Sequence, residues 1–175
     1  MADFAPGQAV VAATSPTQGL LRLQDRAFRC ALGRGGISPR KQEGDGATPA
    51  GPLPLRSVLY RADRLSVPAC TVPVEPIGPQ DGWCDDPLDP AYNRPVRLPY
   101  AGRHEELWRT DAVYDIVGVL GWNDAPVERD RGSAIFLHVA RPDFQPTEGC
   151  IAVSHRDFGR LAPLLRRGTP IRVRR

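Results

Sequence analysis

Nineteen prolines and 17 glycines punctuate a chain of 175 residues, about one position in five. Proline removes a backbone donor and fixes φ, while glycine loses the most chain entropy on folding, so neither suits the interior of a long helix. That density predicts many short strands and turns rather than long helices. Hydrophobic residues at 41% and charged residues at 25% are ordinary globular values and exclude a wholly disordered chain. The length fits one domain, 1–175, and is short of two. A domain of this size buries roughly 70% of its unfolded surface and folds without staples.

The formal charge is +3, and Lys41 is the only lysine. Arg166, Arg167, Arg172, Arg174 and Arg175 make a basic tail, which reads as a solvated end. No basic stripe interleaved with aromatics supports nucleic acid as a partner. No apolar run reaches the length of a membrane-spanning helix, so no transmembrane segment is expected. Met1 to Gln18 has neither a basic start nor a long apolar core and shows no recognisable signal peptide, which by itself reads as cytoplasmic. Cys30, Cys70, Cys84 and Cys150 are too few for a disulfide scaffold. Cys70 and Cys84 flank a proline-rich, acidic stretch and form a candidate pair in an exported protein; free thiols are the simpler reading.

Leu21, Leu23, Phe28, Cys30 and Leu32 alternate with polar or small residues, and Gln24-Asp25-Arg26 fits a hairpin bend. A loop from Ile37 to Gly51 precedes a strand over Leu53 to Arg61. Val67 to Pro99 lacks periodicity and reads as a long irregular insertion; a short helix is expected around Arg103 to Thr110. Val113 to Leu120 and Ser133 to Val139 read as strands, the second an apolar run interrupted by His138. Ser154 is an N-cap candidate for a helix whose Phe158, Leu161, Ala162 and Leu165 share one face, with Gly168 as its stop. Thr169 to Val173 closes the chain as a strand.

Acyl transfer by a thiol needs a base within reach and donors for the oxyanion. His138, at a strand end, and Cys150, on a Gly-Cys turn, supply the first two if the Arg141 to Pro146 loop brings them together. Gly149 lets the backbone turn sharply toward a developing oxyanion. A neighbouring imidazolium would hold the thiolate at neutral pH. The backbone carbonyl of Val139 is available to orient the histidine, since no carboxylate in the sequence obviously does so. One histidine and one cysteine equally describe a core thiol beside a structural imidazole. A metal set of His138, Cys150 and His155 lacks a fourth ligand, and no metal or other cofactor is expected.

His138 followed by Thr147-Glu148-Gly149-Cys150-Ile151 resembles the active-site signature of the YkuD-type L,D-transpeptidases, cysteine enzymes that cross-link bacterial peptidoglycan. Lys41 to Gly51, with its Thr48-Pro49-Ala50-Gly51 turn, resembles that family's early segment. The resemblance covers roughly 20–173, taken as the core of the domain. It implies a mainly β, sandwich-like catalytic domain with one C-terminal amphipathic helix and a long irregular insertion at 67–99. It implies Cys150 as nucleophile, His138 as base, Val139 as orienter through its carbonyl, and the amides of Gly149 and Cys150 as oxyanion donors. A thioester forms on the carbonyl side of an L-configured residue and passes to the amine of a second stem peptide.

The sequence departs from the family pattern at Glu148, where a second histidine is usual, at Ala152, and in a short His-to-Cys spacer. These features resemble a compact proteobacterial branch associated with cross-links from L-alanine at stem position one to diaminopimelate at position three. A carboxylate at 148 would raise the thiol pKa unless Arg141 or His138 offsets it. Arg141 is the candidate anchor for a stem carboxylate. Thr147 and Glu148 sit beside the nucleophile, and Trp122 and Asn123 are candidates for the cleft wall, Trp122 also for the core. Tyr114 reads as core, and Lys41 and Asp45 as residues that shape their loop. Alternatives are an L,D-carboxypeptidase or endopeptidase that uses water, a non-catalytic wall-binding module, and a metal or redox sensor. The resemblance implies peptidoglycan stem peptides as partner and a periplasmic site; we expect a monomer.

Overall fold

The computed structural model describes residues 8–168 and 170–175; residues 1–7 of the segment read for a leader, and Thr169 of the last strand, lie outside them. The strands are β1 (Ala9–Ser15), β2 (Gln18–Leu23), β3 (Arg26–Ala31), β4 (Ile37–Ser38), β5 (Thr48–Pro49), β6 (Gly51–Tyr60) and β7 (Val74–Pro76). They continue as β8 (Asp81–Cys84), β9 (Pro95–Arg97), β10 (His104–Glu106), β11 (Ile116–Leu120), β12 (Phe136–Val139), β13 (Ile151–Val153) and β14 (Pro170–Arg174). Among the described residues one α-helix, α1 (His155–Leu161), joins them. The main sheet runs β11-β12-β13-β3-β2-β1-β14-β6-β7, and β6 also pairs with β11. The domain is mainly β with one short helix, as expected, and the layers of the sandwich are joined as one continuous sheet closed on itself.

Register divides the side chains into two cores. Leu21, Leu23, Leu53, Leu55, Leu137 and Ile151 point into the closed sheet and are fully buried, and Phe158, Leu161 and Leu165 join the same cluster. A second cluster lies on the outer face of β11 and β12, where Val117, Val119 and Phe136 meet Ile77, Leu107 and Tyr114. These strands are buried on both sides, which explains the apolar run of β11 and, apart from His138, that of β12. β2 faces solvent on one side and alternates.

Ser154 caps α1, its Oγ accepting from the Asp157 N–H at 3.0 Å. Pro163 falls in a 3-10 turn, Ala162–Leu164, where its missing N–H costs little. Several expectations are corrected. The chain enters the sheet at Ala9, ahead of the expected core, through β1, whose Ala-Val run carries no alternation to read. The stretch expected as a helix at 103–110 is β10, because pairing with β8 outweighs its local preference. The 67–99 insertion is long and mostly irregular but supplies β7, β8 and β9, and β8 forms a small sheet with β9 and β10. The strand expected from Ser133 starts at Phe136, because Ala134 has φ +50° and breaks the extension. All four cysteines are free thiols.

Replacing Ser154 with alanine removes the cap and is expected to lower stability by about 1 kcal/mol in urea titration, with the denaturant slope unchanged.

Candidate active site

β12 and β13 run parallel, with Leu137 opposite Ile151 and His138 opposite Ala152. Extending that register one residue sets Cys150 beside Phe136. Side chains alternate along a strand, so Cys150, Phe136 and His138 share the outer face while Leu137 and Ile151 point inward. Tight turning before β13 falls to Gly149 at φ +134°, where an added Cβ would lie 2.8 Å from the Ala47 carbonyl oxygen. Cys150 and His138 open on one cavity of about 270 Å³, lined also by Glu43, Glu105, Tyr114 and Arg141.

His138 Nδ1 lies 2.9 Å from the Val139 carbonyl oxygen. A carbonyl can only accept, so Nδ1 carries the proton and Nε2 is left as the base. Burial pushes the His138 imidazolium down to about 4, and burial pushes the Cys150 thiol well above its ordinary value. Both directions favour a thiol beside a neutral imidazole at rest over the expected imidazolium-held thiolate. Proton transfer must accompany attack. Glu105 and Glu148 add to the upward push on the thiol, and Lys41 and the Phe136 N–H oppose it.

The sulfur is held by backbone on two sides. Its S–H donates to the Ala134 carbonyl at 3.2 Å, and the Phe136 N–H donates to Sγ at 3.3 Å. Ala134 takes the left-handed conformation that turns its carbonyl to the sulfur, at about 1–2 kcal/mol of strain. Asn93 from the insertion holds that conformation. Its Oδ1 accepts from the Ala134 N–H at 3.1 Å and from Trp83 Nε1 at 3.0 Å, while Nδ2 donates to the carbonyls of Trp122 and Asn123. Glu43 fixes the next residue back, accepting from Ser133 Oγ at 2.7 Å and from Tyr92 OH at 2.6 Å. The early loop and the insertion thus converge on the segment that grips the nucleophile.

The structure brings Cys150, His138, Val139, Thr147, Glu148, Gly149 and Arg141 to the same site. Thr147 Oγ1 accepts from the Gly149 N–H at 3.2 Å and donates to the Cys150 carbonyl at 2.6 Å, so the expected oxyanion amide of Gly149 is already engaged in the turn. Glu148 pairs with Arg34 at 2.8 Å, not with Arg141. Trp122 and Asn123 do not reach this cavity. Trp122 lines a separate groove of about 600 Å³ on the far side of Phe136, and its indole donates to the Arg131 carbonyl at 2.7 Å. Asn123 ties its own loop, donating to the carbonyls of Glu128 and Gly132. The larger groove holds neither Cys150 nor His138, so chemistry rather than size selects the smaller cavity. Buried Lys41 pairs with half-buried Asp45 within their loop. His155 is exposed, and no metal-ligating cluster occurs among the described residues.

Glu105 escaped the sequence reading, and Tyr114, buried in the second core as expected, also lines the cavity. Tyr114 OH donates to Glu105 Oε1 at 2.5 Å, and its ring meets the His138 ring edge-on at 5.4 Å. Burial pushes the Glu105 carboxyl up. Nothing in the linear pattern marks Glu105, because only the pairing of β10 with β8 carries it over the cavity.

Two outcomes follow from this geometry. His138 charges more readily unfolded than folded, so the unfolded chain binds more protons below its ordinary pKa, and stability falls as pH drops from about 6.5 to 4. That loss, up to about 3 kcal/mol, is expected to vanish from the pH–stability curve of His138→Gln. Asn93 has φ +56°, so Asn93→Gly deletes the amide without backbone strain. It is expected to raise the pH midpoint of Cys150 alkylation by iodoacetamide, mapped by mass spectrometry, whereas Trp83→Phe leaves the midpoint in place.

No curated protein and no solved structure gives a match to this chain. A family model does match: YkuD, the L,D-transpeptidase catalytic domain, over residues 10–173. That match spans nearly the whole chain and contains the cavity with its thiol and imidazole, so the chain belongs to the YkuD family of L,D-transpeptidase catalytic domains.

Proposed function

We propose that the protein is a peptidoglycan L,D-transpeptidase working through a Cys150 thioester. The observation that carries this reading is the placement of a thiol and an imidazole, its Nδ1 held by the Val139 carbonyl, on one sheet face, inside a cavity that offers both signs of charge. Cys150 Sγ attacks the carbonyl carbon after an L-configured stem residue while its proton passes to His138 Nε2. The tetrahedral intermediate collapses, the C–N bond breaks, and the leaving amine takes that proton. An acceptor amine then attacks the thioester, His138 takes its proton, and the thiol is restored with the new amide.

Arg141 in the cavity lining suits a stem carboxylate, and Glu43, Asp85 and Glu105 suit an approaching ammonium. A volume of about 270 Å³ is below the usual range for a whole small-molecule ligand, so the site grips one or two residues around the scissile bond. We assign the donor as L-alanine at stem position one and the acceptor as diaminopimelate at position three, on the altered Thr147-Glu148-Gly149-Cys150 motif. The protein works as a monomer in one domain, and its place is the periplasm, where mature peptidoglycan lies. No helix among the described residues is long and apolar enough to cross a membrane.

Incubating muropeptides with the protein is expected to give new dimers by mass spectrometry, absent with Cys150→Ala, whose fragments join position one to position three. Dimers joined between two diaminopimelates would reassign the donor. Shortened monomers alone would move the reading to a carboxypeptidase or endopeptidase. No cysteine-dependent change on muropeptides or intact wall would leave a wall-binding module.

A further inference from the structure

The acidic side chains of this protein are unevenly spread over the closed sheet. Glu43, Asp85, Glu105 and Glu148 line the catalytic cavity beside Arg109 and Arg141. By contrast β1, β2, β3, β6 and β14 contain no aspartate or glutamate at all. These five strands are contiguous apart from the closing seam, in the order β3-β2-β1-β14-β6. Around the closed sheet, β1 lies halfway from β12, the strand that carries His138.

Register shows which side chains this wall turns outward. Val11, Leu21 and Val173 point into the core. Their neighbours therefore point out, and pairing aligns them in rows. Arg22 and Arg172 flank Val10, with Pro52 beyond Arg172. Arg174 and Leu20 flank Ala12, with Arg29 beyond Leu20. Arg22, Arg29 and Arg174 are exposed and Arg172 is half-buried. Among the described residues Arg22, Arg172 and Arg174 form no ion pair, in contrast to the arginines of the insertion, such as Arg97 with Asp81 and Arg103 with Asp85. Val10 is only 3% exposed although it faces outward, as expected where arginine stems lie over it and carry their guanidinium groups to the rim.

Arginine offers a planar fork matched to phosphate oxygens, and short apolar residues lie between the forks on this wall. The outward rows themselves hold no aromatic side chain, and the Phe144 ring beside them is taken by the Arg29 guanidinium at 4.3 Å, which favours a phosphate-bearing surface over single-stranded nucleic acid. We propose that this arginine wall docks the protein on an anionic phospholipid bilayer, with the catalytic mouth turned away from the lipid. Docking there confines the protein to a layer beside the membrane without a spanning helix, and presents Cys150 to polymer lying beyond the headgroups. The surface is separate from the cavity, so the inference stands whichever stem-peptide bond is cut.

The test is co-sedimentation of the protein with vesicles of phosphatidylcholine, with and without about a third phosphatidylglycerol, at low and at about 0.15 M salt. Wild type is expected to bind the anionic vesicles, more weakly at the higher salt, and to ignore the neutral ones. An arginine near such a surface contributes about five-fold, so Arg22→Gln/Arg172→Gln/Arg174→Gln is expected to lose about a hundred-fold in binding. Arg40→Gln/Arg129→Gln/Arg131→Gln removes the same charge from elsewhere and is expected to stay within about two-fold of wild type. Near-UV circular dichroism checks that both triples are folded; a wall triple that does not fold is replaced by the single variants, each expected to lose about five-fold. Equal binding to both vesicle types, no binding, or equal losses in the two triples overturns the proposal. Capture of a single-stranded oligonucleotide in preference to anionic vesicles overturns it in favour of nucleic acid.

Discussion

The parallel pairing of β12 with β13 is the contact on which the rest of the site depends. Two parallel neighbours cannot be joined by a tight hairpin, so the chain must cross over between His138 and Cys150. That crossover carries Arg141, Thr147 and Glu148 to the rim of the cavity. The same register puts thiol and imidazole on one face, and a slip of one residue would turn Cys150 into the core. Gly149 is the residue that permits the entry, because any side chain there would meet Ala47.

Burial sets the chemistry as well as the geometry. The insertion roofs the outer face of β11 and β12, and the desolvation it imposes keeps both reacting groups neutral at rest. A neutral thiol is a poor nucleophile, so the site relies on fixed partners that act as charge develops. The Phe136 N–H already points at Sγ, and the Val139 carbonyl already holds the imidazole tautomer. The strain at Ala134 belongs to the same arrangement, since the left-handed turn aims the carbonyl and Asn93 keeps it there. Backbone outliers persist where surrounding bonds over-determine them, and here three segments of the chain do so.

A sheet closed on itself leaves an outside as well as an inside. One half of that outside is covered by the insertion and becomes the catalytic face; the strands of the other half carry arginine without acid. The apolar interior makes one cooperative unit of both halves.

The sequence by itself determined a good deal. Proline and glycine density marked short strands, Ser154 marked the start of α1, and the Thr147-Glu148-Gly149-Cys150 motif with His138 marked the family. Those features are local, written in turns, caps and spacings of a few residues. Glu105, Tyr114 and Asn93 were illegible as parts of the site, because each reaches it through a contact distant along the chain: Glu105 by the pairing of β10 with β8, Tyr114 against the His138 ring, Asn93 on Ala134. The same distance hid the helix-like stretch at 103–110 becoming β10, and kept Trp122 and Asn123 out of the cavity. Strand identity and motif chemistry follow from neighbours along the chain. The closure of the sheet, the face each residue takes, and the neutral state of the reacting pair follow from burial, which only the assembled tertiary structure decides.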